Sequence, residues 1–229
     1  MRRKRSRTAS AIEGIAIETS FAAALTQADE LPVRRCLAKL CAAPALHARF
    51  LNTLSLLEHI GSRKIMLSHA RPSRDVLRHL AEETRHAFFF KRAAEGLAQG
   101  ALSYEAPHLL AGAQARFYMG RLDGRIAQIA RGGAAYYYMS LLIELRAIWF
   151  YRIYQSVLTE MGQKLNLASL LAEETRHLAE MNDQLTAPGE NPQTHLPGLI
   201  AFEERCFANL LAGLDKAAGA VQPAYNKAS

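Results

Sequence analysis

Leu80-Ala81-Glu82-Glu83-Thr84-Arg85-His86 recurs, residue for residue, as Leu171-Ala172-Glu173-Glu174-Thr175-Arg176-His177. Seven identical residues at two places in one chain are hard to explain by chance. Each copy holds a Glu-x-x-His pair, Glu83 with His86 and Glu174 with His177. On a helix, positions i and i+3 face the same way, so each pair presents one carboxylate and one imidazole to a common point. Glu58 precedes the first copy and Glu144 precedes the second. Two such pairs, with one further Glu from each of two other helices, form the donor set of a carboxylate-bridged pair of metal ions.

Working outward, both extra acids lie on apolar stripes. Leu51, Leu54, Glu58 and Ile65 follow three-, four- and seven-residue steps, and Tyr137, Leu141, Glu144, Ile148 and Tyr151 share a face by steps of four and three. A lone carboxylate on such a face is costly unless a metal or another cation pairs with it. Turn positions give an independent check. If Glu58 and Glu83 meet across an antiparallel hairpin, the turn falls near residues 70–71, where Arg71-Pro72-Ser73 lies. Glu144 and Glu174 require a turn near residue 159, close to Gly162, a good C-terminal cap.

The remaining pattern predicts helices over 29–41, 44–70, 73–98, 113–130, 134–161, 166–185 and 198–214, with a loop over 188–197. Alternating β-branched runs are nearly absent, so the chain reads as all-α. At 229 residues it is long enough to bury a substantial core. We expect a flexible basic arm over 1–28, a single helical domain over 29–219 and a tail over 220–229.

The formal net charge is +7, of which Arg2, Arg3, Lys4, Arg5 and Arg7 supply five, leaving about +2 for the rest. The body is therefore not a strongly basic nucleic-acid surface; an arm of this kind is more often solvated than bound. Glu13 and Glu18 interrupt the stretch after the arm, unlike a signal peptide, and no apolar run is long enough to span a membrane. Cys36, Cys41 and Cys206 are odd in number and lack Cys-x-x-Cys spacing, which excludes a zinc ribbon or rubredoxin-type site and points to a reducing, cytoplasmic compartment.

On these residues the chain resembles the ferritin-like di-iron carboxylate superfamily over approximately 44–186. The repeat is similar to the Asp/Glu-Glu-x-Arg-His form of bacterial multicomponent monooxygenases, acyl-carrier-protein desaturases and ribonucleotide reductase small subunits. The resemblance implies a ferritin-like four-helix bundle with a long crossover and additional terminal helices. It implies metal ligation by Glu58, Glu83, His86, Glu144, Glu174 and His177. It also implies that the acid before each ligand Glu supports a ligand His with an Arg beside it, the matching residues being Glu82 with Arg85 and Glu173 with Arg176. The usual Asp is replaced by Glu at both places.

Four carboxylates and two imidazoles suit two iron ions; manganese or a mixed manganese–iron pair is an alternative occupant. The expected function is an O2-dependent oxidase or oxygenase acting on an organic substrate by hydroxylation, desaturation or N-oxygenation. A ferredoxin or flavin reductase would supply electrons, and a homodimer is expected from the apolar outer faces. The tRNA-modifying hydroxylases of the superfamily are a sub-case compatible with the basic arm. Alternatives are a ferroxidase or iron-storage protein, and a bundle that keeps the ligands without catalysis. His79 lies four residues before Glu83 on the same face, but the second repeat has Leu170 there, which argues against a seventh ligand. Tyr136, Tyr137, Tyr138, Tyr151 and Trp149 read as packing and hydrogen-bonding aromatics. Phe89 and Phe90 read as core beside the site, and Gly61 and Ser62 leave space near it.

Overall fold

The computed structural model describes residues 27–185 and 192–220. The expected arm and tail fall almost wholly outside these residues. Those described are all-helical, with no strand among them. Seven α-helices follow in order: α1 Gln27–Ala42, α2 Pro44–Ser68, α3 Arg74–Ala98, α4 Gly112–Ile126, α5 Gly132–Glu160, α6 Ala168–Leu185 and α7 Pro192–Ala220, with a 3-10 turn at Ala106–His108. No helix among them is long and apolar enough to cross a membrane.

The helix ends follow local chemistry. Pro44 occupies the first turn of α2, where its missing N–H costs nothing. The Ser73 hydroxyl accepts from the Val76 N–H at 3.3 Å and starts α3. The chain between α2 and α3 spans 69–73, the position that the Glu58–Glu83 spacing requires. α5 ends in a Schellman turn: Gly162, at φ 66°, donates to Thr159 O, and the Gln163 N–H donates to Leu158 O at 2.8 Å.

The second hairpin departs from the midpoint rule. α5 runs to Glu160 and α6 begins only at Ala168, so the connection is centred well past residue 159. The non-helical segment 163–167 explains this. At up to about 3.3 Å per residue it covers roughly 16 Å, the distance about eleven helical residues would need. Glu144 and Glu174 therefore reach the same level with unequal helical arms.

Other corrections are local. α4 stops at Ile126 instead of 130, and α5 begins at Gly132 instead of 134. Residues 192–197, expected as loop, are the first turns of α7, with Pro197 inside the helix. Leu196, Leu199, Phe207, Leu210 and Leu214 are buried at helical spacing, and that face outweighs the turn-forming composition.

α2 packs on α3 along its length and α5 packs on α6, while α4 lies on α7 and α1 touches α2, α5 and α7. The crossover between α3 and α5 is pinned by polar groups on α2. Asn52 donates to Ser103 O and His108 O, both at 2.8 Å, and Thr53 exchanges hydrogen bonds with Leu110. Asn52 and Thr53 are fully buried, and these backbone partners are why they can be; Ser55, also buried, donates to Ala87 O of α3 at 2.6 Å. α7 is fastened by a buried ion pair. Glu203 accepts from Arg146 of α5 at 2.6–3.1 Å and from the Tyr118 hydroxyl of α4 at 2.6 Å.

Candidate metal centre

The two hairpins bring the six acids and imidazoles of the sequence pattern into one buried cluster: Glu58 from α2, Glu83 and His86 from α3, Glu144 from α5, Glu174 and His177 from α6. All are below a tenth exposed. His79, set aside on the strength of Leu170, joins them from one turn before Glu83. Its Nε2 lies 3.3 Å from Glu83 Oε1 and 3.2 Å from Glu144 Oε1. The signal that could have found it was its spacing: positions 79, 83 and 86 share one helix face. The near-symmetry of the two repeats masked it.

The donor atoms fall into two groups, His79, Glu83, Glu144 and His177 in one, Glu58, His86 and Glu174 in the other; within each group they lie within 4.8 Å of one another. Glu83 and Glu174 sit between the groups. Glu83 Oε1 is 3.3, 3.7 and 3.5 Å from the facing nitrogens of His79, His86 and His177. Glu174 divides its oxygens, Oε1 at 3.1 Å from His86 Nδ1 and Oε2 at 3.1 Å from His177 Nδ1. Carboxylates so placed can bridge two ions.

The acids beside the cluster tie the two repeats to each other rather than closing on their own copy. Glu82 accepts from His177 Nε2 at 2.8 Å and Arg176 at 2.6 Å. Glu173 accepts from His86 Nε2 at 2.8 Å and Arg85 at 2.6 Å. Each outer nitrogen is thereby fixed as a donor and each Nδ1 faces inward. The sequence pairs Glu82 with Arg85 and Glu173 with Arg176 by motif; in space the partners are exchanged. Two tyrosines add support that sequence reasoning did not assign. The Tyr136 hydroxyl is 2.6 Å from His79 Nδ1, and the Tyr151 hydroxyl donates to Glu58. Phe90, fully buried, packs on Tyr151 with ring centroids 5.6 Å apart.

Burial and mutual charge set the electrostatics of the cluster. Burial first, then the charges of Glu83 and Glu174, push Glu58 and Glu144 well above the usual carboxylate range. Burial also opposes charge on His86, yet attraction to the Glu174 carboxylate, 3.1 Å from its Nδ1, raises it to about 10. Burial works against ionised Glu174 too, but its hydrogen bond with His177 and the nearby charge of His86 hold it below its ordinary value. His79 Nε2, Glu83 Oε1 and His86 Nδ1 are buried without a hydrogen-bond partner among the described residues. Inward-facing polar atoms left in this way are costly. Two divalent cations would balance four ionised carboxylates and satisfy all three atoms, so the residues fit a metal pair.

A cavity of about 470 Å³ opens on the cluster. Its floor includes Glu58, Glu83, Glu144 and Glu174, and its walls are mostly apolar, among them Leu54, Ile65, Ile143 and Phe207. Gly61 lies on this wall; a Cβ there would be 3.6 Å from Glu83 Oε2, so the helix surface stays low beside the carboxylates. No family model matches the chain, and no curated protein or solved structure is detectably similar to it.

Proposed function

We propose that this chain is a non-haem di-iron oxidase or oxygenase that uses O2 on an organic substrate, and that α2, α3, α5 and α6 form a ferritin-like bundle with α1 and α7 as additional terminal helices. The observation that carries the reading is the buried cluster of four carboxylates and three imidazoles opening onto an apolar cavity of about 470 Å³. A volume of that size suits a small organic molecule. When bound, the iron pair supplies electrons for O2 reduction, and a ferredoxin or flavin reductase returns them.

The chain's own residues have separable tasks. Glu83 and Glu174 lie where they can span two ions, and Glu82 and Glu173 fix the imidazoles that face them. Tyr151 keeps a proton at Glu58, within reach of the cavity floor. Leu54, Ile143 and Phe207 keep water from the substrate space. Three buried, unpaired cysteines support a reducing, cytoplasmic setting.

The test is O2 uptake by protein loaded anaerobically with two equivalents of Fe(II), with and without apolar probes such as toluene, indole and medium-chain fatty acids. Probe-dependent uptake with an oxygenated or desaturated product is expected. Uptake that depends only on excess Fe(II), with no organic product, would instead identify a ferroxidase.

A further inference from the structure

We propose that His79 is a third imidazole ligand, so that the two metal positions are unequal. The inference rests on the di-metal reading above. It was not expected from the repeat, whose second copy places buried Leu170 at the matching position.

The argument is one of parallel construction. A ligand histidine binds through one ring nitrogen while a neighbouring group holds the other. His86 has Nε2 held by Glu173 and Nδ1 facing inward. His177 has Nε2 held by Glu82 and Nδ1 facing inward. His79 repeats the pattern with the nitrogens exchanged: Nδ1 is held by Tyr136 at 2.6 Å, and Nε2 faces Glu83 and Glu144. That Nε2 is buried without a hydrogen-bond partner among the described residues, although the residue is only 1% exposed. A core histidine needing nothing more than Tyr136 would not be aimed at two carboxylates of the cluster. His79 and His177 are also close, with ring centroids 4.1 Å apart, so both imidazoles reach one ion.

Inequality follows from the donor count. One position has His79, Glu83, Glu144 and His177; the other has Glu58, His86 and Glu174. The second therefore has fewer protein donors and more room for an exogenous ligand. His79 is held by a neutral phenol where the other two imidazoles are held by carboxylates. A phenol raises imidazole basicity less, which makes His79 the most readily displaced of the three.

The experiment loads the full chain with Co(II) and counts exchangeable, hyperfine-shifted imidazole N–H resonances by proton NMR, one for each coordinated histidine that keeps its N–H. Wild type should give three, and His79→Gln two. In His79→Gln, chelator competition should show one of the two ions weakened at least as much as by loss of a supporting partner, roughly 10–100-fold. Tyr136→Phe keeps the imidazole and should speed solvent exchange of one of the three signals only. Two signals in wild type would overturn the proposal whether or not His79→Gln folds, and so would an unchanged spectrum in a folded His79→Gln. If wild type binds no Co(II), the di-metal reading falls and this proposal with it. If wild type binds two ions through two imidazoles, only this proposal falls.

Discussion

Glu82 and His177 are 95 positions apart in sequence, yet the carboxylate accepts from the imidazole Nε2 at 2.8 Å. Glu173 and His86 make the matching contact at the same distance. Each repeat therefore holds the other's histidine, and the two hairpins are locked around the cluster by exchange of partners. Because such contacts orient a ligand and raise its basicity, their loss should be felt at the metal.

Glu82→Gln and Glu173→Gln should each weaken metal binding by roughly 10–100-fold without unfolding the chain. Because the amide also loses its charge beside Arg176 or Arg85, Glu→Asp at the same positions should fall between wild type and Gln. Competition with a chromophoric chelator measures this directly. Affinities equal to wild type in both Gln variants would show that the carboxylates are ordinary surface partners of the arginines.

α7 should depend on its buried ion pair more than on exposed ones. Glu203 is 1% exposed and receives three hydrogen bonds from Arg146 and one from Tyr118. Removing one member of a buried pair strands the other, at a cost of roughly 3–5 kcal/mol. Glu203→Ala should lower unfolding stability by about that amount in urea melts, whereas Asp123→Ala, at the exposed Lys64 pair, should cost about 1 kcal/mol or less. Equal effects would contradict the role assigned to Glu203.

Acid should destabilise the fold partly through His47, away from the cluster. Burial lowers its pKa from 6.5 to about 4, and its Nε2 bonds the Tyr154 hydroxyl. The unfolded chain takes up this proton near 6.5 and the folded chain only near 4. The stability contribution is therefore complete above pH 6.5 and is lost as pH falls towards 4, on the order of 3 kcal/mol. His47→Gln should flatten that part of the stability profile relative to wild type; parallel profiles would remove His47 from the account.

Gly61 should control access to the cavity. Gly61→Ala adds a Cβ at ordinary contact distance from Glu83 and should change little. Gly61→Leu should fill space beside the carboxylates, leaving metal stoichiometry intact while reducing binding of an apolar probe. Xenon NMR reads this without any knowledge of the substrate, since xenon settles against apolar walls such as Leu54, Ile65 and Phe207. Undiminished xenon binding in Gly61→Leu would place the cavity elsewhere.

Much of the arrangement was legible because it is written in spacing. Glu58 and Glu144 stood out as acids on apolar stripes, and the first turn fell where two equal helical arms require it. The second turn did not, because 163–167 is non-helical and covers distance at about twice the helical rate. Residues 192–197 looked like loop because local composition favours turns, but burial of Leu196 and Leu199 is a tertiary effect that composition does not carry. The place of His79 in the cluster follows from its position on the helix face, which Leu170 at the matching position of the second repeat does not indicate. The exchange of Glu82 and Glu173 between repeats was invisible for a related reason: sequence shows which residues are neighbours along a helix, not which face each other across two.

The most direct test of the central claim is metal stoichiometry after anaerobic Fe(II) loading, in wild type, Glu83→Ala and Glu174→Ala. The account predicts about two irons per chain in wild type and loss of tight binding in both variants, since Glu83 and Glu174 lie between the two donor groups. Wild type binding no more iron than the variants would contradict it, leaving the duplicated motif as a structural lock between two hairpins.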